Sequence, residues 1–513
     1  MKKIAIILLI IIPIVSFSQS IDFNNVQLKG EVNRRISRNL NEGSQITLIL
    51  LEAPEEVDGY FDSPISSPQA HIKYGDEVEA ININLLDRIT FIPQDIKEFW
   101  YIKALENEVY SNLLNNGYQY KERKEIEEET IDYLNYLDNN NLLINDTYLE
   151  SYIYSLIHRL YPHRLDDGRP GILNVNIVKN LEPNASIFPN GTLLISTGLL
   201  STINSEEELT AVLAHEIAHF VLDHTIININ KAAQRQRRVE FWTALMTGIA
   251  AAADFYATTQ YEYHVPGDLT YGTAVLSYTI ATEIAERLGM QYSREQEMKA
   301  DELAVELLSF IDLDPTALSS ALSKIKEYCI QTGNYLALTG EGSHPALGDR
   351  IQAIGNPASF NDPEYDIKIS SINTYNARIK FVHKHMAACT TLIERNIEAN
   401  VATEKDYVLL SKVTLFMYDN EAKNLAALEY INKAKSLNVY PIIEIPKQEA
   451  IVLIRLGRMD EARNSLLKYR ENLEKKKLEL ERVLNTSEWS YLNNYYNKEY
   501  EWTAIMLHRI KQL

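Results

Sequence analysis

Apolar positions follow three rhythms along this chain, and each rhythm predicts a different element. From Ile4 to Val15 they run almost unbroken. In Ile46-Thr47-Leu48-Ile49-Leu50-Leu51, and again in Thr192-Leu193-Leu194-Ile195-Ser196-Thr197 after the Pro189-Asn190-Gly191 turn, aliphatic and β-branched residues crowd a short stretch, which predicts strands. Elsewhere the spacing is that of a helix. Leu209, Val212, Leu213, Ile217, Phe220 and Val221 line one face, and Leu303, Ala304, Leu307 and Leu308 line another. Ser205-Glu206-Glu207-Glu208 reads as a capping box, with acids suited to the positive end of the helix dipole. The elements add up to a mostly α, α+β protein with a small β-sheet and a C-terminal helical block.

A length of 513 residues suggests three units behind a leader. We expect a signal peptide at 1–18, an accessory region at 19–125, a central catalytic unit at 126–358 and a helical unit at 370–513. The accessory region offers the strand at 46–51, a loop at Pro64–Pro68 and a mixed stretch at Ile81–Ile92, followed by a helix rich in acids and tyrosines; no chemistry follows from it. Asn356-Pro357 and Asn361-Asp362-Pro363 break the chain after the central unit. Farther on, Ala450–Leu456, Gly457, Asp460-Glu461-Ala462-Arg463 and Leu466-Leu467 resemble a tetratricopeptide repeat. Leu425-Ala426-Ala427-Leu428-Glu429 precedes its counterpart by about 35 residues, near the period of that repeat. A generic helical bundle is the alternative.

Composition sets the compartment. Met1-Lys2-Lys3, the apolar run and Ser16-Phe17-Ser18-Gln19 form a bacterial-type secretory signal, with cleavage after Ser18 or Ser20. Pro13 interrupts a run already short for a membrane span, and no cysteine follows it to carry a lipid. The expectation is a periplasmic or secreted protein. Two cysteines, Cys329 and Cys389, can make at most one pair. A net charge of −20 argues against nucleic acid, whose binding needs clustered Lys and Arg.

His215-Glu216-Ile217-Ala218-His219 carries the chemistry. With 11 histidines in the chain, chance supplies this pattern in only about 0.02 sequences of such composition. On a helix the four-residue spacing puts both imidazoles on one face, where they can share Zn²⁺. Glu216 stands beside them, placed to take a proton from a zinc-bound water, which ionises near neutral pH. A catalytic zinc needs a third protein ligand. Ser293-Arg294-Glu295-Gln296-Glu297-Met298-Lys299-Ala300-Asp301 reads as a second helix with Glu297 and Asp301 one turn apart. His224 lies about 140° around the helix from His219, so it is read as an imidazole meeting the negative helix end. His383 and His385 read as surface.

The pair of motifs resembles the gluzincins of family forty-eight of the metallopeptidases. So do Asn184 to Leu200 ahead of the first motif, Ser343-His344-Pro345 with Arg350 after the second, and Asn145 to Ile157 as an opening helix. Together they cover residues 131 to 357. The resemblance implies one zinc per subunit held by His215, His219 and Glu297, with Glu216 as general base and then acid toward the leaving amine. Asp301 would orient a ligand histidine. His344 would be catalytic at the tetrahedral intermediate or an inhibitory fourth ligand, and Arg350 would brace its loop or meet substrate. Thr192, Leu193, Leu194, Ile195 and Ser196 would form an edge strand for an extended peptide, the alternative being a core strand.

Relatives of that kind place membrane spans between the two motifs. Here Lys231, Arg235, Arg237 and Arg238 precede Phe241-Trp242 and an apolar run to Ala253, too short to span. A helical hairpin packed on the catalytic unit is expected across 231–280, with membrane-surface contact through 241–253 as the alternative. Repeats beside a peptidase resemble the branch of the family that surveys outer-membrane proteins. The expected function is hydrolysis of unfolded or misassembled envelope proteins; a zinc-containing chaperone or binding module with little proteolysis, or a scaffold with structural zinc, are the other readings.

Overall fold

The computed structural model describes residues 20–23, 25–53, 67–115, 118–139, 141–162, 164–167, 169, 173–229, 292–332, 347–437, 442–482 and 486–511. The leader, the 231–280 segment and His344 lie outside them.

Six strands open the described chain: β1 (Ser20–Asp22), β2 (Leu28–Val32), β3 (Gln45–Glu52), β4 (Gln69–Tyr74), β5 (Glu77–Asn82) and β6 (Ile89–Phe91). They form one antiparallel sheet in the order β5-β4-β3-β2-β6. β3 is long enough to hold β2 at Gln45–Leu48 and β1 at Leu50–Glu52. Strict alternation in β2 turns Leu28 and Val32 inward, and Ile89 and Phe91 of β6 join them. The expected strand at 46–51 is therefore the central β3. The mixed stretch at 81–92 resolves into the end of β5, a 3₁₀ turn (Ile83–Arg88) and β6.

Helix α1 (Ile96–Glu106) fastens this sheet to the rest of the protein, with α2 (Val109–Asn115) and α3 (Tyr118–Asn139) following. Trp100 donates from Nε1 to the carbonyl of Leu160 at 2.8 Å, and the Tyr101 hydroxyl accepts from the Asp166 amide at 2.6 Å. Both rings are fully buried, so the packing is apolar with its polar atoms satisfied.

A second sheet follows, built from β7 (Leu143–Ile144), β8 (Asn174–Val178), β9 (Ala185–Ile187) and β10 (Thr192–Ser196), with α4 (Thr147–Leu160) between the first two. Its order is β7-β8-β10-β9, β8 and β10 running parallel. β10 leads straight into α5 (Thr197–Thr202), and a short loop brings α6 (Glu206–Val221) across. Gly198 is required at that corner. A Cβ there would stand 2.2 Å from the carbonyl oxygen of Leu181. α7 (His224–Ile229), α8 (Arg294–Phe310), α9 (Thr316–Thr332) and α10 (Leu347–Ile354) complete the central unit.

The remaining helices are α11 (Pro363–Lys368), α12 (Ser370–Val382), α13 (Met386–Glu398), α14 (Glu404–Met417), α15 (Glu421–Leu437), α16 (Glu444–Arg455), α17 (Met459–Glu481) and α18 (Thr486–Ile510). Asp362 caps the first of them and Pro363 starts it, as its fixed φ favours. Ala427 and Ala462 are fully buried, on α15 and α17 respectively. The block is tied to the central unit by polar side chains. Arg395 donates to the carbonyls of Ser201 and Ile203 at 2.6 and 3.0 Å, Asn376 to that of Thr197 at 2.7 Å, and Tyr365 to that of Leu200 at 2.7 Å. Cys329 and Cys389 are separate buried thiols, so the one available disulfide is not formed.

Candidate metal centre

Helix α6 is buried along nearly its whole length, which is why its motif carries almost no solvent-facing residue. Ser205 caps it through the Glu208 amide at 3.2 Å. The reciprocal half of the expected capping box is displaced by one residue: the Glu208 carboxylate accepts from the Asn204 amide at 2.7 Å, and from Ser320 and Lys324 of α9. The first turn of the helix is thereby pinned to its neighbour by a buried carboxylate.

His215 and His219 present their Nε2 atoms to one point, 3.1 Å apart. Glu297, on α8, brings its carboxylate oxygens to 3.5 Å from Nε2 of His215 and 3.6 Å from Nε2 of His219. These are the His/His/carboxylate donors of a tetrahedral zinc site, and ligands at about 2.0–2.1 Å from such an ion would lie roughly 3.3 Å from one another. The three donors are buried, and their ligand atoms all fall within 4.8 Å. The donor set therefore fits the ion.

Asp301, one turn beyond Glu297, accepts from Nδ1 of His215 at 2.9 Å and so leaves Nε2 as the lone-pair atom. Arg350, on α10, is 3% exposed and grips both carboxylates, at 2.7 Å from Glu297 and 2.7 Å through two nitrogens from Asp301. Its guanidinium is thus engaged by Glu297 and Asp301. The burial of Asp301 works against ionisation, yet Arg350 and His215 overcome it and hold its carboxyl below the ordinary range. Burial and Arg350 pull His215 down, but Asp301 and Glu297 lift it to about 9. A divalent cation held by His215, His219 and Glu297 would take the place of that proton. With neutral imidazoles, the carboxylates of Glu216, Glu297 and Asp301 against one Arg350 leave two buried negative charges, the complement of such a cation. Glu216 is 2% exposed and follows His215 directly on α6.

Three further side chains surround the pair, of which the sequence reading named only His224. His224 begins α7 and is buried with its Nδ1 2.9 Å from Nδ1 of His219. Burial pushes its imidazole down to about 4, and the ring meets His219. Tyr292 stacks on His219 with ring centroids 3.7 Å apart, and its hydroxyl meets Thr225 Oγ1 at 2.9 Å. Arg169, held by Asp167, donates to the carbonyls of Phe220 and Val221 at 3.3 and 2.7 Å and so closes the C-terminal end of α6. The five-residue spacing from His219 was the available signal for His224. Tyr292 and Arg169 had none, since one is an isolated aromatic and the other a loop arginine.

The expected edge strand is misplaced. Thr192, Leu193, Leu194, Ile195 and Ser196 form β10, an interior strand buried at every position, with β8 on one side and β9 on the other. Continuous burial is what an interior strand produces, and the run of aliphatic residues carried that meaning. The outer strand is β9. The Asn184 carbonyl accepts from the Ser196 amide and the Phe188 amide donates to the Thr192 carbonyl, so alternation turns the amide and carbonyl groups of Ala185 and Ile187 away from β10. Among the described residues no strand covers that side.

Comparison with known proteins places the central unit. Residues 149–358 match the family described as Peptidase family M48. The beta-barrel assembly-enhancing protease of Escherichia coli (strain K12) is 28% identical over 194 residues, 38% of this chain and 36% of that protein. That of Yersinia pestis is 23% identical over 326 residues, 63% and 55% of the respective chains. The mitochondrial metalloendopeptidase OMA1 of Bos taurus is 28% identical over 246 residues, 44% and 43%. The matched region thus reaches between 36% and 55% of the length of these relatives.

Proposed function

We propose that this chain, whose residues 149–358 match the family described as Peptidase family M48, is a zinc-dependent endopeptidase of unfolded or misassembled envelope proteins. The observation that carries the reading is the convergence of His215, His219 and Glu297 with Glu216 alongside. A site that only stabilises a fold has no use for that extra buried carboxylate. Zinc, when bound by the three ligands, supplies Lewis acidity that polarises a carbonyl and lets water attack near neutral pH.

The chain's own residues do the rest. An extended peptide pairs with the outward amide and carbonyl groups of Ala185 and Ile187, which lays its backbone beside α6 without demanding a particular sequence. A carboxylate oxygen of Glu216 takes the proton of the attacking water and delivers it to the leaving amine. Asp301 and Arg350 fix His215 and Glu297 so that neither swings during turnover. His344 would act from the segment between α9 and α10, as a catalytic group or as a brake.

The names of the bacterial relatives point to substrates among outer-membrane β-barrel proteins, and the helical block at 370–513, with its tetratricopeptide-like spacing, would dock such partners. The signal-like sequence of Met1–Gln19 supports a periplasmic or secreted location. Among the described residues no helix is long and apolar enough to cross a membrane. Contact with a membrane surface through 241–253 stays with the proposal.

Glu216→Gln decides the mechanism. The purified full chain should bind zinc and cleave unfolded casein, and the variant should retain the metal while losing about 10²–10⁴-fold in rate. Undiminished cleavage by the variant would remove Glu216 from the reaction. Zinc binding without cleavage of any unfolded substrate by the wild type would favour the binding-module reading.

A further inference from the structure

We infer that His224 is a positioning residue for His219, fixing that imidazole with its proton on Nδ1 so that Nε2 presents a lone pair to the metal. The inference rests on the reading that His215, His219 and Glu297 hold zinc. The two Nδ1 atoms are 2.9 Å apart and buried, so one nitrogen carries a hydrogen and the other accepts it. Nε2 of His219 is the atom that faces His215 at 3.1 Å and Glu297 at 3.6 Å. A neutral imidazole has one N–H and one lone pair, and the lone pair is needed at Nε2. The proton therefore sits on Nδ1 of His219, and His224 is the acceptor.

The local backbone is built to put it there. α6 ends at Val221, and Asp223 adopts φ +61°, a left-handed turn that folds the next residue back over the helix. Arg123 pairs with the Asp223 carboxylate, while Arg169 holds the last carbonyls of α6. Gln296 of α8 donates to the His224 carbonyl at 3.5 Å, and Tyr292 closes one face of the His219 ring. The two histidine ligands are thus backed differently, His215 by an anionic carboxylate and His219 by a neutral imidazole. A carboxylate in place of His224 would raise the buried total to three negative charges against a divalent ion.

Zinc affinity of the full chain, measured by competition with a chromophoric chelator, tests this on wild type, His224→Gln and His224→Leu. Glutamine offers an acceptor oxygen; leucine fills similar volume and offers none. The leucine variant should bind zinc about 10–100-fold more weakly, and the glutamine variant should stay near wild type. The visible band of the cobalt-substituted protein should shift in the leucine variant alone. Wild-type affinity in the leucine variant, or equal losses in both, overturns the inference. If leucine prevents folding, the glutamine variant decides alone, since a tenfold loss there sinks the idea and near-wild-type affinity supports it. Failure of the wild type itself to hold one zinc would instead sink the reading beneath it.

Discussion

Replacing Arg350 by methionine tests the charge balance of the metal centre. Methionine fills the arginine stem but offers no donor, so Glu297 and Asp301 lose the cation that lies 2.7 Å from each. The buried total goes from two negative charges to three. Removing one partner of a buried ion pair costs about 3–5 kcal/mol. For a domain near 200 residues each kcal/mol moves the melting temperature by about 2–4 °C, so the metal-free variant should melt roughly 6–20 °C below metal-free wild type. Saturating zinc returns a positive charge to the same Glu297 carboxylate. The metal should therefore raise the melting temperature more in the variant than in the wild type. Four thermal unfolding curves of the full chain suffice, each protein with chelator and with zinc. Equal metal-free melting temperatures, or a smaller zinc increment in the variant, would refute the reasoning.

Other outcomes follow from the same geometry. Gly198→Ala should destabilise by about 1–3 kcal/mol or more, because its Cβ meets the Leu181 backbone and not a side chain that can move; an unchanged melting temperature would show that the corner relaxes. Ala185→Pro should keep the zinc and the fold, since proline is tolerated on an outer strand. It should lower kcat/KM on unfolded casein by removing one outward amide, and unaltered cleavage would take β9 out of substrate binding. Chelation of the wild type should lower its melting temperature, by about 4 kcal/mol of stability relative to zinc at a thousand times its dissociation constant; identical melting with and without metal would argue that the site binds none.

The candidate ligand cluster was legible because its spacing is dictated by a helix and its chemistry is rare in combination. His215 and His219 lie one turn apart on α6, and Glu297 and Asp301 one turn apart on α8, as the periodicity of each segment required. What that pattern cannot reveal is which elements meet. β10 looked like a strand and is one, but whether its neighbours number one or two depends on β8 and β9, whose short runs carry little signal. His224 was excluded as a ligand by helical angle, and the left-handed Asp223 ended the helix before that angle applied. The capping box at Ser293 and Gln296 was present in the sequence and unread. The strand at 46–51 was visible as a burst of aliphatic residues, whereas its antiparallel companions are short and alternating.

The hydrogen bonds that Tyr365, Asn376 and Arg395 send back to α5 and Ile203 make residues 149–358 something other than a detachable cassette. Ending the polypeptide near residue 358 would strip donors from the carbonyls of Thr197, Leu200, Ser201 and Ile203 in one stroke. Each orphaned buried acceptor costs about 1–3 kcal/mol. Three of these carbonyls sit on α5, the short helix that joins β10 to the loop before α6, and that of Ile203 stands just past its end. A shortened chain would thus loosen at the corner that leads into α6, the helix of His215 and His219, so the trailing helices act as a splint.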